Sequence, residues 1–157
     1  MKLHDRLKLT EDFVMVNGIK LKQGYIGTCK SINYDAHEYT LQLAIPSQYS
    51  ITNYIPTVAT LNDLILDNIS QEELNNYLSE YGYEYITSRI FHVNNIWSIK
   101  SGYDDNNNEL YRSGMIMEYN VALNEDDDTI LFKFFDDKST KIYKKRYLEQ
   151  FGSYSIM

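Results

Sequence analysis

Apolar residues recur along this 157-residue chain at two periods, and each period predicts a different element. From Tyr39 to Ile45 the pattern is strictly alternating. Tyr39, Leu41, Leu43 and Ile45 share one face, Thr40, Gln42 and Ala44 the other, and Pro46 ends the run, as in a strand buried on one side. Phe13-Val14-Met15-Val16 and Ile19-Lys20-Leu21-Lys22 flank Asn17-Gly18, two residues that tolerate positive φ and signal a hairpin turn. The return strand is expected to continue, kinked at Gly24 or Gly27, to about Asn33, with a turn over Tyr34 to His37. Residues 1–10 read as a short helix or a loose end.

The middle reads as helical. Val58, Leu61, Leu64 and Ile65 fall at helical spacing after Pro56, and Leu74, Tyr77, Leu78 and Tyr81 repeat at i, i+3, i+4 and i+7. Ser70 with Glu73 forms a capping box before this second helix, and Gly82 stands where a C-terminal cap belongs. Strands are then expected over Tyr85 to Val93, Ile96 to Tyr103, Leu110 to Leu123 and Thr129 to Phe135, with a last helix over Ser139 to Phe151. The connections are short, so the strands should be antiparallel neighbours. The expectation is a single globular domain, 1–157, of the α+β class. Its sheet is mostly antiparallel, in the order βββ-αα-ββββ-α, with helices packed on one face. In such a meander Asn94-Asn95 should meet the turn at 125–128, and the loop 104–108 should lie near Asp136-Asp137.

Charge adds information that the pattern does not carry. The net charge is −7, and Ser31 to Ser88 contains eight carboxylates and no Lys or Arg. A second acidic block runs from Asp104 to Asp137, opposed by Arg112 and Lys133, and then Lys138, Lys141, Lys144, Lys145 and Arg146 reverse the sign. Such a balance favours a basic protein partner over direct nucleic-acid binding. With one cysteine, Cys29, an internal disulfide is impossible, and no long apolar run suggests a leader or a membrane span, so a cytoplasmic protein is expected. Ile (16), Tyr (15) and Asn (14) are abundant while Ala (4) and Pro (2) are scarce, the usage of AT-rich codons and of a bacterial or phage origin.

Candidate chemistry is sparse. Cys29 and His37 would stand roughly 15 Å apart along a hairpin at ~3.3 Å per residue, too far for a nucleophile and its base. His4, His37 and His92 show no metal spacing. Asp104, Asn106 and Asn108 begin a calcium-loop pattern that fails at Glu109 and Met115. No phosphate loop, nucleophile elbow or zinc-protease motif is present. A non-enzymatic chain without metal or cofactor is therefore expected. Tyrosine is the conspicuous residue, and it favours interfaces.

In size, in acidity and in runs such as Glu125-Asp126-Asp127-Asp128, the chain resembles the anti-CRISPR and related anti-defence inhibitors of phages and mobile elements. It is also similar to immunity proteins that neutralise nuclease toxins, and its element order to acidic secretion chaperones. The first resemblance implies an inhibitor that binds a Cas nuclease and stops DNA loading or cleavage. The residues expected to bind the partner are Tyr103, Asp104, Asp105, Tyr111, Glu125, Asp126, Asp127 and Asp128. Reversing Asp126, Asp127 and Asp128 to Lys is expected to weaken binding and leave the fold intact.

Overall fold

A pleated strand presents alternate side chains to alternate faces, so a sheet covered on one side needs apolar residues at every second position. The computed structural model describes residues 1–47 and 54–155, and its architecture is α+β. Among the described residues there are two α-helices and twelve strands, with antiparallel pairing in every sheet. The chain, expected above as one domain, divides into two compact units: Met1–Ile86 with Leu123–Glu125, and Thr87–Ala122 with Asp126–Met157.

The first unit contains β1 (Arg6–Leu9), β2 (Phe13–Val14), β3 (Lys20–Leu21), β4 (Ile26–Asn33), β5 (Glu38–Pro46), β6 (Tyr54–Asn62), β7 (Leu66–Asn68) and α1 (Gln71–Tyr81). Its sheet runs β6-β5-β4-β1-β7, and β2 with β3 forms a separate hairpin. That hairpin turns at Asn17-Gly18 as expected, with Gly18 N donating to Met15 O and Met15 N to Ile19 O, both at 2.8 Å. The chain turns again at Gly24, so β3 and β4 are separate strands rather than one kinked strand. The segment 1–10 is not a helix. It contributes β1, whose Leu7 and Leu9 are completely buried beside Leu21, Cys29, Leu41 and Leu61. Burial pushes the Cys29 thiol above its ordinary pKa, in keeping with a small core residue.

The helix expected around Val58 to Ile65 is instead the edge strand β6. Its nine residues pair with β5 from Pro46↔Tyr54 to Glu38↔Asn62, burying Thr57, Ala59 and Leu61 and leaving Val58 exposed. β-Branched residues suit this extended backbone, and Pro56 is tolerated because the strand lies at an edge. Helix α1 follows its local signals closely. Ser70 Oγ accepts from Glu73 N (3.1 Å), the Glu73 carboxylate accepts from Ser70 N (3.3 Å), and the helix closes at Gly82. Leu74 and Tyr77 are its buried residues.

The second unit contains β8 (Ile96–Tyr103), β9 (Glu109–Asn120), β10 (Thr129–Phe134), β11 (Thr140–Lys144), α2 (Lys145–Phe151) and β12 (Gly152–Ser155), with sheet order β11-β10-β9-β8-β12. Two further expectations are corrected here. Residues 85–93 form local turns, not a strand, as Ile86 N bonds to Tyr83 O and Phe91 N to Ser88 O. These turns set Phe91 flat on Trp97, with ring centroids 5.0 Å apart. The last helix starts only at Lys145, because Thr140 to Lys144 pairs with β10 over five positions. The element order βββ-αα-ββββ-α is therefore replaced by the one above, and the helices do not form a continuous layer on one sheet.

Both cores depend on bulges. In β4, Lys30 has no partner between Cys29↔Leu41 and Ser31↔Thr40. The extra residue shifts the phase, so Cys29 and Ile32, three apart, both face the core opposite Leu41 and Tyr39. In β9, Met117 is the extra residue, and Ile116 and Tyr119 are both buried, opposite Phe132 and Ile130.

Leu74 is completely buried under α1, so Leu74→Ala should cost about 2–5 kcal/mol in urea unfolding. A change below about 0.5 kcal/mol would mean that this helix face carries no packing energy.

Candidate protein-binding interface

Strands β8 and β9 are longer than their neighbours. β12 pairs with β8 no further than Ile99, and β10 with β9 no further than Gly114. Residues 100–112 therefore continue as a two-stranded arm, roughly 15 Å beyond their own sheet at about 3.3 Å per residue. The loop 104–108 closes the arm. Asp104 Oδ1 accepts from Asn106 N (2.9 Å) and Asn108 N (2.8 Å), and Asn107 takes the left-handed conformation. These backbone donors, Asn108 first, hold the Asp104 carboxyl below its usual pKa. Its oxygens thus shape the turn, while Asp105 beside it is exposed.

A third bulge lies on this arm. Ser101 is unpaired between Lys100↔Tyr111 and Gly102↔Leu110, and Gly102 takes φ 150°, a conformation that side chains disfavour. As in the cores, the phase shift brings residues three apart onto one face. Lys100 and Tyr103 stand opposite Tyr111 and Glu109. Lys100 Nζ donates to Tyr103 Oη at 2.6 Å and lies 3.3 Å from the Glu109 carboxylate, and the Tyr111 hydroxyl donates to Glu109. Tyr111 and then Lys100 hold the Glu109 carboxyl below its usual range. Hydrogen bonding to Glu109 raises the Tyr111 pKa, and that to Tyr103 raises the Lys100 pKa. The face remains open, with Tyr103 56% and Tyr111 50% exposed, and Leu110 is 45% exposed. Of the residues on this arm the sequence expectation includes Tyr103, Asp104, Asp105 and Tyr111 but not Lys100, Glu109 or Leu110, and the small pair Ser101-Gly102 inside a strand pattern is the signal of the bulge that gathers them.

The other four expected residues do not form one acidic tip. Glu125 is buried in the first unit, with its two oxygens 2.7 and 2.6 Å from Lys30 Nζ. In the second unit Asp126 and Asp127 are exposed, and Asp127 is 3.3 Å from Lys144 Nζ. Asp128 is completely buried. Its Oδ2 accepts from the Tyr119 hydroxyl (2.5 Å), its Oδ1 from Ala122 N (2.8 Å), and its carbonyl from Lys145 N (3.1 Å). Reversal of all three aspartates therefore cannot leave the fold untouched, because Asp128 holds the β9–β10 connection together.

The two expected meetings of loops are also corrected by register. Asn95 is level with Ile116, whereas the acidic connection begins beyond Asn120↔Thr129. Asp136 and Asp137 bind Arg112 (2.8 and 3.2 Å) at the base of the arm, short of the loop 104–108. Among the described residues no group of three His, Cys, Asp or Glu could hold a metal ion, and no helix is long and apolar enough to cross a membrane. His37 Nδ1 stands 3.2 Å from Asp63 Oδ2. The sequence matches no protein-family model and no curated protein, and no solved structure matches the chain.

Asp128→Ala should cost on the order of 2–4 kcal/mol, because it strands a buried hydroxyl and a backbone N–H, whereas Asp105→Ala should stay within about 0.5 kcal/mol. Equal effects of the two in chemical unfolding would refute the buried role. The Arg112 guanidinium holds the Asp136 carboxyl down at about 2 from its ordinary 3.8. A folded-state pKa below the unfolded one contributes stability at higher pH and loses it as pH falls through the folded value. The stability gap between the native chain and Asp136→Asn should thus be present at pH 6 and shrink from about pH 4 toward pH 2; a gap unchanged at pH 2 would rule the ion pair out as its source.

Proposed function

We propose that this chain is a non-enzymatic inhibitor that docks the arm of β8 and β9 onto a basic surface of a partner protein, the nucleic-acid groove of a Cas-type nuclease being the partner best matched. One observation carries the reading. The bulges at Lys30 and Met117 serve buried cores, whereas the bulge at Ser101 organises a face that, among the described residues, packs on no core. Tyr103 and Tyr111 offer large contact area at low entropic cost, and their hydrogen bonds to Lys100 and Glu109 pre-order them. Asp105 adds an exposed carboxylate at the tip.

Charge supports the same partner. The chain carries a net −7, and Asp105 and Glu109 are exposed carboxylates on the arm itself. A field of that sign speeds encounter with a cationic groove and weakens as salt rises.

The test uses the full chain as bait against lysates of low-GC bacteria and against purified Cas nuclease complexes, eluted with rising salt. The expected result is a nuclease retained at low salt, released by salt and inhibited in a DNA-cleavage assay. A Tyr103→Ala/Tyr111→Ala double variant should lose at least tenfold in affinity. Retention of an unrelated client, or affinity indifferent to the arm variant, would reject this function.

A further inference from the structure

Successive residues of an antiparallel strand direct their backbone groups alternately to one neighbour and to the other. Asp63 N donates to His37 O (2.9 Å) just past the end of β6, and the pairing of β6 with β5 runs unbroken from Asn62 back to Tyr54. Leu61, Ala59, Thr57 and Ile55 therefore bond to β5, while the backbone groups of Thr60, Val58 and Pro56 point out of the sheet edge. Among the described residues no strand lies on that side of β6. Pro56 fits this phase, because the N–H it lacks would have been an outward one.

Unpaired edges are templates for association unless they are short, charged or bulged. The other edges of the two five-stranded sheets are protected in this way. β7 has three residues, one of them Asp67, β12 has four, and β11 carries Lys141 and Lys144. β6 has nine residues, none of them charged, and no register shift. Its Val58 is 63% exposed and its Ile55 49%.

Beside this edge is an open apolar hollow of about 390 Å³, lined by Phe13, Met15, Val16, Asn17, Ala59 and Thr60. Ile55 pairs with Ile45 and Ala59 with Leu41, both core residues, so Ile55 and Ala59 lie on the core face of the sheet. An exposed knob and a hollow thus stand on one face of one strand, four residues apart. A two-fold axis at Thr57 carries each onto the other, since in an antiparallel pair Ile55 of one copy then faces Ala59 of the second. Val58 N–H meets the Pro56 carbonyl of the other copy in that register, so the proline needs only to accept. A strand from another protein would have to supply its own knob and hollow, both of which a copy already has.

Charge agrees with the same occupant. Copies of a chain carrying −7 repel one another unless their seam is free of charge. Asp63, the nearest carboxylate along β6, is six residues from the axis, roughly 20 Å at about 3.3 Å per residue and beyond the screening length of about 8 Å. We propose that two copies of this chain associate through β6, edge to edge and antiparallel about Thr57, joining their five-stranded sheets into one continuous sheet. This inference stands apart from the inhibitor reading and involves none of the arm residues.

The test is sedimentation velocity of the full chain over concentrations reaching about 300 μM, with amide hydrogen exchange read in parallel. A reversible dimer is expected, with the Val58 and Thr60 amides exchanging freely when dilute and protected when concentrated. Val58→Pro removes an outward donor, keeps the ladder to β5 and suits extended backbone, so it should weaken dimerisation at least tenfold with the far-UV circular dichroism unchanged. Ile55→Asp should do the same, and Ile55→Leu should keep the dimer. A monomer at every concentration overturns the proposal. So does a dimer indifferent to both Val58→Pro and Ile55→Asp, or one in which the Val58 and Thr60 amides still exchange freely. Tyr103→Ala/Tyr111→Ala should dimerise as the native chain does, which separates this edge from the arm.

Discussion

Every strand here is bound by the pleat: one residue in, the next out, with no freedom to choose. A side chain on the wrong parity can be recovered only by adding a residue to one strand. The chain does this at Lys30, Met117 and Ser101, each time bringing residues three apart onto a common face. At Lys30 the extra residue also places its own charge where Glu125 receives it. Bulges disrupt ladder hydrogen bonds, so each needs a compensating gain. Cys29 with Ile32, and Ile116 with Tyr119, find theirs in buried apolar area. Among the described residues the Ser101 bulge has no such return, and it gathers Lys100, Tyr103, Glu109 and Tyr111 on an open face. That asymmetry distinguishes the arm from the rest of the surface more firmly than its exposure does, because exposed aromatic residues are common.

Carboxylates in this chain are not interchangeable surface charge. Asp128 is held by a tyrosine hydroxyl and a backbone amide, Glu125 by Lys30, Glu73 by Lys8 and by the cap of α1, and Asp104 by its own loop. Lys8 pulls the Glu73 carboxyl below its ordinary pKa, with the Ser70 backbone assisting. Burying a charged group is costly without close partners, and Asp128 meets that demand with acceptor geometry on both oxygens. Arg6 does the same from the cationic side, completely enclosed in β1 with Nε on Thr28 Oγ1 at 3.1 Å. Acidic composition therefore overstates the acidity a partner would encounter.

What the sequence disclosed follows from how local each signal is. The capping box Ser70–Glu73 and the alternation from Tyr39 to Ile45 need only near neighbours, and both appear where expected. Val58, Leu61, Leu64 and Ile65 satisfy helical spacing, but Ala59 and Leu61 satisfy strand spacing equally, and the nine pairs with β5 decide between them. Ile142, Tyr143, Tyr147 and Phe151 could share one face of a helix, but pairing with β10 claims Thr140 to Lys144 for a strand. Arg6 gave no sign of burial, since nothing near it in sequence provides its partners. The run from Glu125 to Asp128 is the clearest limit. Four adjacent acids look alike, and only the path of the chain assigns one to Lys30, one to Tyr119 and two to solvent or Lys144. Tyr103 and Tyr111 were readable as members of one hairpin, but their shared face required counting the residue that the bulge adds.

Dividing the chain into units also changes what its net charge means. A value of −7 spread over one body would repel every polyanion and attract every polycation to similar degree. The first unit alone carries −6, and from Ser31 to Ile86 it has no Lys or Arg to offset its eight carboxylates. The second is nearly neutral, yet sharply divided: Asp136 and Asp137 are tied to Arg112 near the arm, while Lys141 and Arg146 remain exposed beside α2. At physiological ionic strength a ligand responds to charges within about a Debye length, not to the total. What a ligand meets on this chain is therefore set by local geometry rather than by the total: by paired carboxylates near the arm, and by exposed cations beside α2.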